Sequence, residues 1–445
     1  MRAALAASVI VMMGTAACVQ GADPDADRGR DTLFKRAFVP APWSLAAYDN
    51  VWKVWQPAPP EKPADYDQAF RDHYGLHEPP YANGKLPMGL REGRLLFAKG
   101  ITTDCLLCHA GSIFGKSYPG LGNSALDIQA LFEDLGKATT GSGKLPFRFS
   151  NVRGTSEAGA FAVYLWSFRE TDLSIRRQRH DFELRDDLCE DVPAWWLLKK
   201  KKTMYFTGTV DARSVRSIMQ FMLTPDNSKA VFEKEEAAYA DIQAYIHTLE
   251  PPKYPLPIDA ELAGAGAKLF SENCAKCHGT YGANWTYPNK IVPMETIGTD
   301  PTRFSGLSRK LGEHYNQTWF AQETKDGYKA TEPKGYQVPP LDGVWATAPY
   351  FHNGAVPTLH DVLNSKARPA IFTRSYKTGA DDFDAVKVGW KVQLLPRGVD
   401  PALPGHQRRK IYDTTQPGRG NGGHTFGDHF SDQQRRAVVE YLKTL

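Results

Sequence analysis

Cys105-Leu-Leu-Cys108-His109 and Cys274-Ala-Lys-Cys277-His278 decide how this 445-residue chain is read. Each sets two thiols one helical turn apart with a histidine directly after the second. Thiols so spaced add across the two vinyl groups of a haem, and the adjoining histidine is then aimed at the iron. This is the c-type attachment signature. The alternatives are a zinc ribbon and a thioredoxin-like redox pair. The motifs lie so far apart that each would be half a zinc site, and the βαβ context of a thioredoxin motif is missing.

Outward from the motifs the chain repeats itself. The first is preceded by LLF (95–97) and its segment closes with AYIHTL, in which Ile242, Tyr245, Ile246 and Leu249 stand at i, i+3, i+4 and i+7. The second is preceded by KLF (268–270) and closes with EYLKTL, where Val438, Tyr441, Leu442 and Leu445 repeat the spacing after a Ser431…Gln434 capping box. The breaker-rich PPKYPLP, Pro251–Pro257, divides the two as a proline hinge. The pattern predicts a mainly α fold: helical domains at 32–250 and 258–445 with long loops, each enclosing one covalently bound c-type haem. Residues 1–18, MRAALAASVIVMMGTAAC, read as a secretory signal, with Cys18 after small residues as in a bacterial lipoprotein; Thr15 stands where such signals carry Leu, so ordinary cleavage nearby is the alternative. Polar residues 19–31 then read as a tether. The chain is expected in the periplasm, held to a membrane only through a lipid on Cys18.

With 54 Lys+Arg against 50 Asp+Glu, the net charge of +4 gives no reason to expect nucleic acid. Six cysteines over this length are too sparse for a disulfide scaffold. Four would form thioethers and Cys18 would carry the lipid, which leaves Cys189 as a buried thiol. The run Lys199–Lys202 reads as a solvated face, with docking of an acidic redox partner as the sharper alternative. Beyond His109 and His278, two histidines have unusual settings. His352 lies in WATAPYFHNGAVPTL (345–359), and His424 lies in GRGNGGHTFG (418–427), where glycines let backbone approach a flat cofactor, or else form a flexible loop. Met294 reads as packing rather than a ligand.

The duplicated motifs and the segment APYFHNGAVPTL (348–359) resemble the bacterial di-haem cytochrome c peroxidase superfamily, in which each domain is cytochrome c-like. With GVWATAPYFHNG, GNGGHTFG (420–427) and SIMQFML (217–223), the chain is most similar to the branch that contains haem-dependent rubber oxygenases. The resemblance implies a reaction haem in the N-terminal domain and an electron-relay haem in the C-terminal one. Peroxidases bind the relay haem through a Met where this chain has Lys366. The rubber-oxygenase branch uses a histidine near the C-terminus, which implicates His424, with His352 in reserve. Aligning SEAGAFAVYLW (156–166) with the His352 segment puts Ala162 opposite His352. The reaction haem then lacks a histidine lid and has an apolar roof that includes Phe221. Glu157 and Glu170 are the candidate distal acids; surface carboxylates are the plainer reading. Trp195 and Trp196 are candidates for an aromatic bridge between the haems, or for core.

The resulting expectation is an exported di-haem oxidoreductase that reduces hydrogen peroxide, with a small cytochrome or cupredoxin as donor. The alternatives are a dioxygenase acting on an apolar substrate and an electron carrier without catalysis.

Overall fold

The computed structural model describes residues 23–95 and 98–445. The signal segment, Cys18 and most of the LLF stretch (Leu96, Phe97) lie outside the described residues.

Two helix pairs frame the molecule. Helix Pro24–Lys35 packs on helix Lys229–Thr248, and helix Ala260–Asn273 packs on helix Asp432–Leu442. A glycine sits at each crossing: a Cβ on Gly29 would meet the Asp241 carbonyl oxygen at 1.8 Å, and one on Gly266 the Ala437 carbonyl oxygen at 1.9 Å. Helices cross this closely only where no side chain intervenes. The two closing helices bury their periodic residues, Ile242 and Ile246 in one and Val438 and Leu442 in the other. The Ser431/Gln434 capping box is formed.

Helix Pro24–Lys35 overlaps the segment read as a tether and corrects that reading. Asp23 caps it by accepting from the Asp25 amide, Pro24 opens it, and Asp25 and Asp27 complement its N-terminus while Lys35 complements its end. Only Ala26, Gly29 and Leu33 are buried. Its partner helix, and the Arg28–Asp241 ion pair at 2.9 Å, lie some two hundred residues away in sequence.

The mainly helical expectation is also overturned. The chain is 36% helical and 12% strand. Among the described residues the strands form two three-stranded sheets and four two-stranded ones. The cause is local: loops rich in Gly and Pro still have to pair their backbone groups, and short antiparallel ladders do so. Strands Leu90–Leu95 and Ala98–Thr103 pair ahead of the first motif, and Ala110–Ile113 and Lys116–Pro119 pair directly after it.

The halves share core. Leu311, Tyr315 and Phe320 from the second half pack in one cluster with Trp166, Met219 and Phe232 from the first. The proline-rich connection is pinned rather than free: Pro252 accepts from Trp345 Nε1 at 3.0 Å, and Tyr254 meets the Trp345 ring edge-on at 5.1 Å. Among the described residues no helix is long and apolar enough to cross a membrane.

Candidate haem-binding site

Both motifs open onto one cavity of about 1630 Å³, lined by Cys105, Cys108, His109, Cys274, Cys277 and His278. No disulfide joins these thiols or Cys189. Among the described residues no group of three or more His, Cys, Asp or Glu is placed to hold a metal ion.

At the first motif the turn Cys105–Leu107 is capped by Asp104, whose carboxylate accepts the Leu106 amide at 2.8 Å and pairs with buried Arg91 at 2.6 Å. The His109 ring stacks on Trp195, centroids 4.8 Å apart at 22°. Burial drives its pKa down to about 4, so the imidazole is neutral. Its Nδ1 is buried without a well-formed hydrogen bond, with the Pro193 carbonyl beside it.

At the second motif Cys274 ends helix Ala260–Asn273, and Ala275–His278 forms one further turn. His278 Nδ1 contacts the Pro339 carbonyl at 3.0 Å. A carbonyl only accepts, so Nδ1 carries the proton and Nε2 keeps a free lone pair; the tautomer follows from that bond. The His424 ring faces it, with centroids 6.4 Å apart. Two metal–nitrogen bonds of about 2.0–2.1 Å, the length imidazole makes to zinc, would place two ring centres roughly 6 Å apart. His424 Nδ1 is buried without a partner. Its loop is stapled rather than flexible: Arg368 donates to the carbonyls of Asn421, Gly423 and His424, and the His424 amide donates to Ile297 at 2.7 Å. Two open thiols, a neutral histidine with a free nitrogen and a second ring across the gap fit a haem at this motif.

Other expected residues fall elsewhere. His352 lines the cavity, but its Nε2 is bonded to the Tyr336 hydroxyl at 3.1 Å and its ring stacks on Tyr336 at 4.2 Å. That bond occupies the nitrogen a reserve ligand needs. Met294 and exposed Lys366 are absent from the cavity wall. Glu170 also lies off the wall, in an outer ion pair with Arg176 at 2.6 Å, which holds its carboxyl below the ordinary value. This corrects its reading as a distal acid. Ala162 and Phe221 do line the cavity. Trp196 is buried and donates through Nε1 to the Asp342 carbonyl at 2.8 Å, so Trp195 touches the first motif while its neighbour reaches the second half.

Glu157 lines the cavity, yet its carboxylate is turned onto protein donors: Asn151 Nδ2 at 2.7 Å and the amides of Leu188 at 2.8 Å and Cys189 at 3.0 Å. Burial nevertheless raises its pKa from 4.5 to about 7. The folded chain therefore holds this proton more tightly than the unfolded chain. The resulting stabilisation is complete below about 4.5 and is lost as pH rises through about 7. Unfolding stability is expected to fall by about 3 kcal/mol across that window. Urea melts of wild type and Glu157→Gln at the two ends of the window check this; equal slopes in both proteins would overturn it.

Of lysines 199–202 only Lys202 is solvated, so the run is not a solvated face. Lys199 pairs with Glu250, Lys200 with Asp342 at 2.6 Å, and Lys201 lines the cavity. Asp191, also on the wall, has its carboxyl pushed well above the ordinary value by burial. Neither Lys201 nor Asp191 belongs to a motif, and no local pattern marks them.

Residues 335–373 match the RoxA-like, cytochrome c-like family. This RoxA-like stretch holds Pro339, the partner of His278, together with Tyr336, His352 and Arg368. An uncharacterised protein of Sinorhizobium fredii (y4iM) is 28% identical over 298 residues, 57% of this chain and 64% of the relative. A second from the same strain (y4iJ) is 27% identical over 264 residues, 44% of this chain and 41% of the relative. The chain thus spans less than two thirds of either relative. Hydrazine synthase from Kuenenia stuttgartiensis aligns with 67% of this chain and 90% of its own at 15% identity, with a TM-score of 0.27. The RoxA-like match sets a cytochrome c-like segment directly against the second thiol–histidine motif, which supports a haem group there. It does not reach the peroxidase superfamily specifically.

Proposed function

We propose that the chain is an exported di-haem c-type oxygenase acting on an apolar substrate. The observation that carries this reading is the wall beside the first motif. Helix Ala158–Trp166 presents Phe161, Ala162 and Leu165 to the cavity, and the turn Gln220–Met222 that packs on it adds Phe221. Of the two candidates for a peroxidase's distal acid, Glu157 is bonded away and Glu170 sits outside. When bound, haem at the first motif supplies the dioxygen chemistry.

The protein's own part is distinct at the two motifs. His109, neutral and stacked on Trp195, would hold the first haem from one side, and the apolar wall excludes water and admits an apolar chain. His278 and His424 would hold the second from both sides. Trp195 stacks on His109, and Trp196 donates to the Asp342 carbonyl, three residues after the carbonyl that holds His278. Export rests on residues 1–18, with anchoring through Cys18 and a small redox donor protein as further parts of the proposal.

The second reading, peroxide reduction, draws on the resemblance to di-haem peroxidases. The two separate in the oxygen electrode. Oxygen uptake with a polyisoprenoid and no external reductant is expected, with negligible peroxide loss when a reduced cytochrome is supplied. Rapid peroxide turnover without polyisoprenoid-dependent uptake overturns the oxygenase reading.

A further inference from the structure

Four cations line the cavity among the described residues: Lys201, Lys276, Arg303 and Arg309. Lys276 is exposed at the motif itself, Arg303 pairs with Glu190, and Arg309 pairs with Glu313 at 2.8 Å. Lys201 is different. It is half-buried on the wall and makes no ion pair or side-chain hydrogen bond among the described residues. Burial alone lowers its pKa to about 8, with no carboxylate near enough to offset it. A partnerless ammonium in such a setting is costly, and buried charges in stable proteins are paired.

Its place in the wall says what completes it. Lys201 directly follows the turn Trp195–Lys200. At one end of that turn Trp195 stacks on His109; at the other Lys200 pairs with Asp342, three residues after the carbonyl that holds His278. Lys201 therefore lies on the cavity wall at the end of a turn whose other residues contact both motif regions. We propose that the Lys201 ammonium is the counter-ion of a carboxylate inside the cavity, supplied by a haem propionate. The inference rests on the haem reading above and adds a redox consequence. A cation beside a propionate favours the reduced, less positive iron, so its loss lowers that haem's potential.

The test is spectroelectrochemical titration of the full-length holoprotein, with covalent haem counted first by pyridine haemochrome. Lys201→Met and Lys201→Gln are expected to lower the potential of one haem by about 59 mV, a tenfold change in a one-electron couple. Lys201→Arg should restore it, and added acetate should leave the wild type unchanged. Wild-type potentials that move with acetate would identify a free carboxylate as the ligand and overturn the propionate assignment. Unchanged potentials in both neutral variants, with raised thermal stability, would mark Lys201 as an unpaired charge and overturn the proposal alone. A chain without covalent haem overturns the haem reading and this inference together.

Discussion

Replacing His424 by alanine is expected to convert one low-spin haem to high-spin, visible as loss of the low-spin EPR signal and a shifted Soret band. The argument starts from ring geometry. His278 is locked by its Nδ1 bond to Pro339, so its Nε2 faces the gap, and the His424 ring stands 6.4 Å away on the far side. Two strong-field imidazoles keep an iron low-spin, and removing one leaves a weak or absent axial ligand. The loop should survive the change, because Arg368 grips it through backbone carbonyls and not through the imidazole. His424→Met should remain six-coordinate and raise the potential, since a His/Met pair favours the reduced state. His352→Ala should leave the spectrum unchanged, because its Nε2 is committed to Tyr336. A spectrum altered by His352→Ala and untouched by His424→Ala would sink the assignment. At the first motif the apolar wall of Phe161, Ala162, Leu165 and Phe221 offers no imidazole, so that haem should be unaffected by the His424 and His352 variants.

What the amino-acid pattern revealed tracked how local each signal was. The two thiol–histidine motifs are complete within five residues each. The closing helices announce themselves through Ile242 and Ile246, and through Val438 and Leu442, at spacings that need no tertiary knowledge. Helix Pro24–Lys35 stayed hidden because its buried face is only Ala26, Gly29 and Leu33, and its meaning lies in a partner far along the chain. The sheets were missed because many of their strands are only two to four residues long, set in loops whose Gly and Pro content argued for irregular backbone. Composition cannot say which way a side chain turns. Glu157 and Glu170 looked alike as candidate acids until their partners were known. In four consecutive lysines, nothing distinguishes the one that enters the cavity from its neighbours. The Gly-rich setting drew attention to His424, but its opposition to His278 depends on Arg368 closing a loop across more than fifty residues.

Replacing Arg303 by alanine is expected to cost about 3–5 kcal/mol of folding stability, the range for breaking a buried ion pair by removing one partner. Glu190 belongs to the first half and Arg303 to the second; both side chains are 5% exposed, and Arg303 Nε bonds Glu190 Oε1. The other Glu190 oxygen accepts the Gly159 amide at 2.6 Å, which satisfies an early donor of helix Ala158–Trp166. Its backbone pairs with Ser156 in both directions at 2.9 Å. One carboxylate thus ties the helix that walls the first motif to the segment at 301–304 from the other half. Truncating Arg303 leaves that carboxylate buried with a single amide donor, and the penalty falls on both halves because their cores are continuous through Trp166 and Phe320. The double variant Arg303→Met with Glu190→Gln should lose less than Arg303→Ala alone, because no unpaired charge remains. Urea denaturation followed by tryptophan fluorescence and by Soret absorbance checks both statements. Coincident transitions that shift together in Arg303→Ala support a shared core. If only one probe moves, the halves unfold independently, and the pair is an ornament of one domain instead of the tie between two.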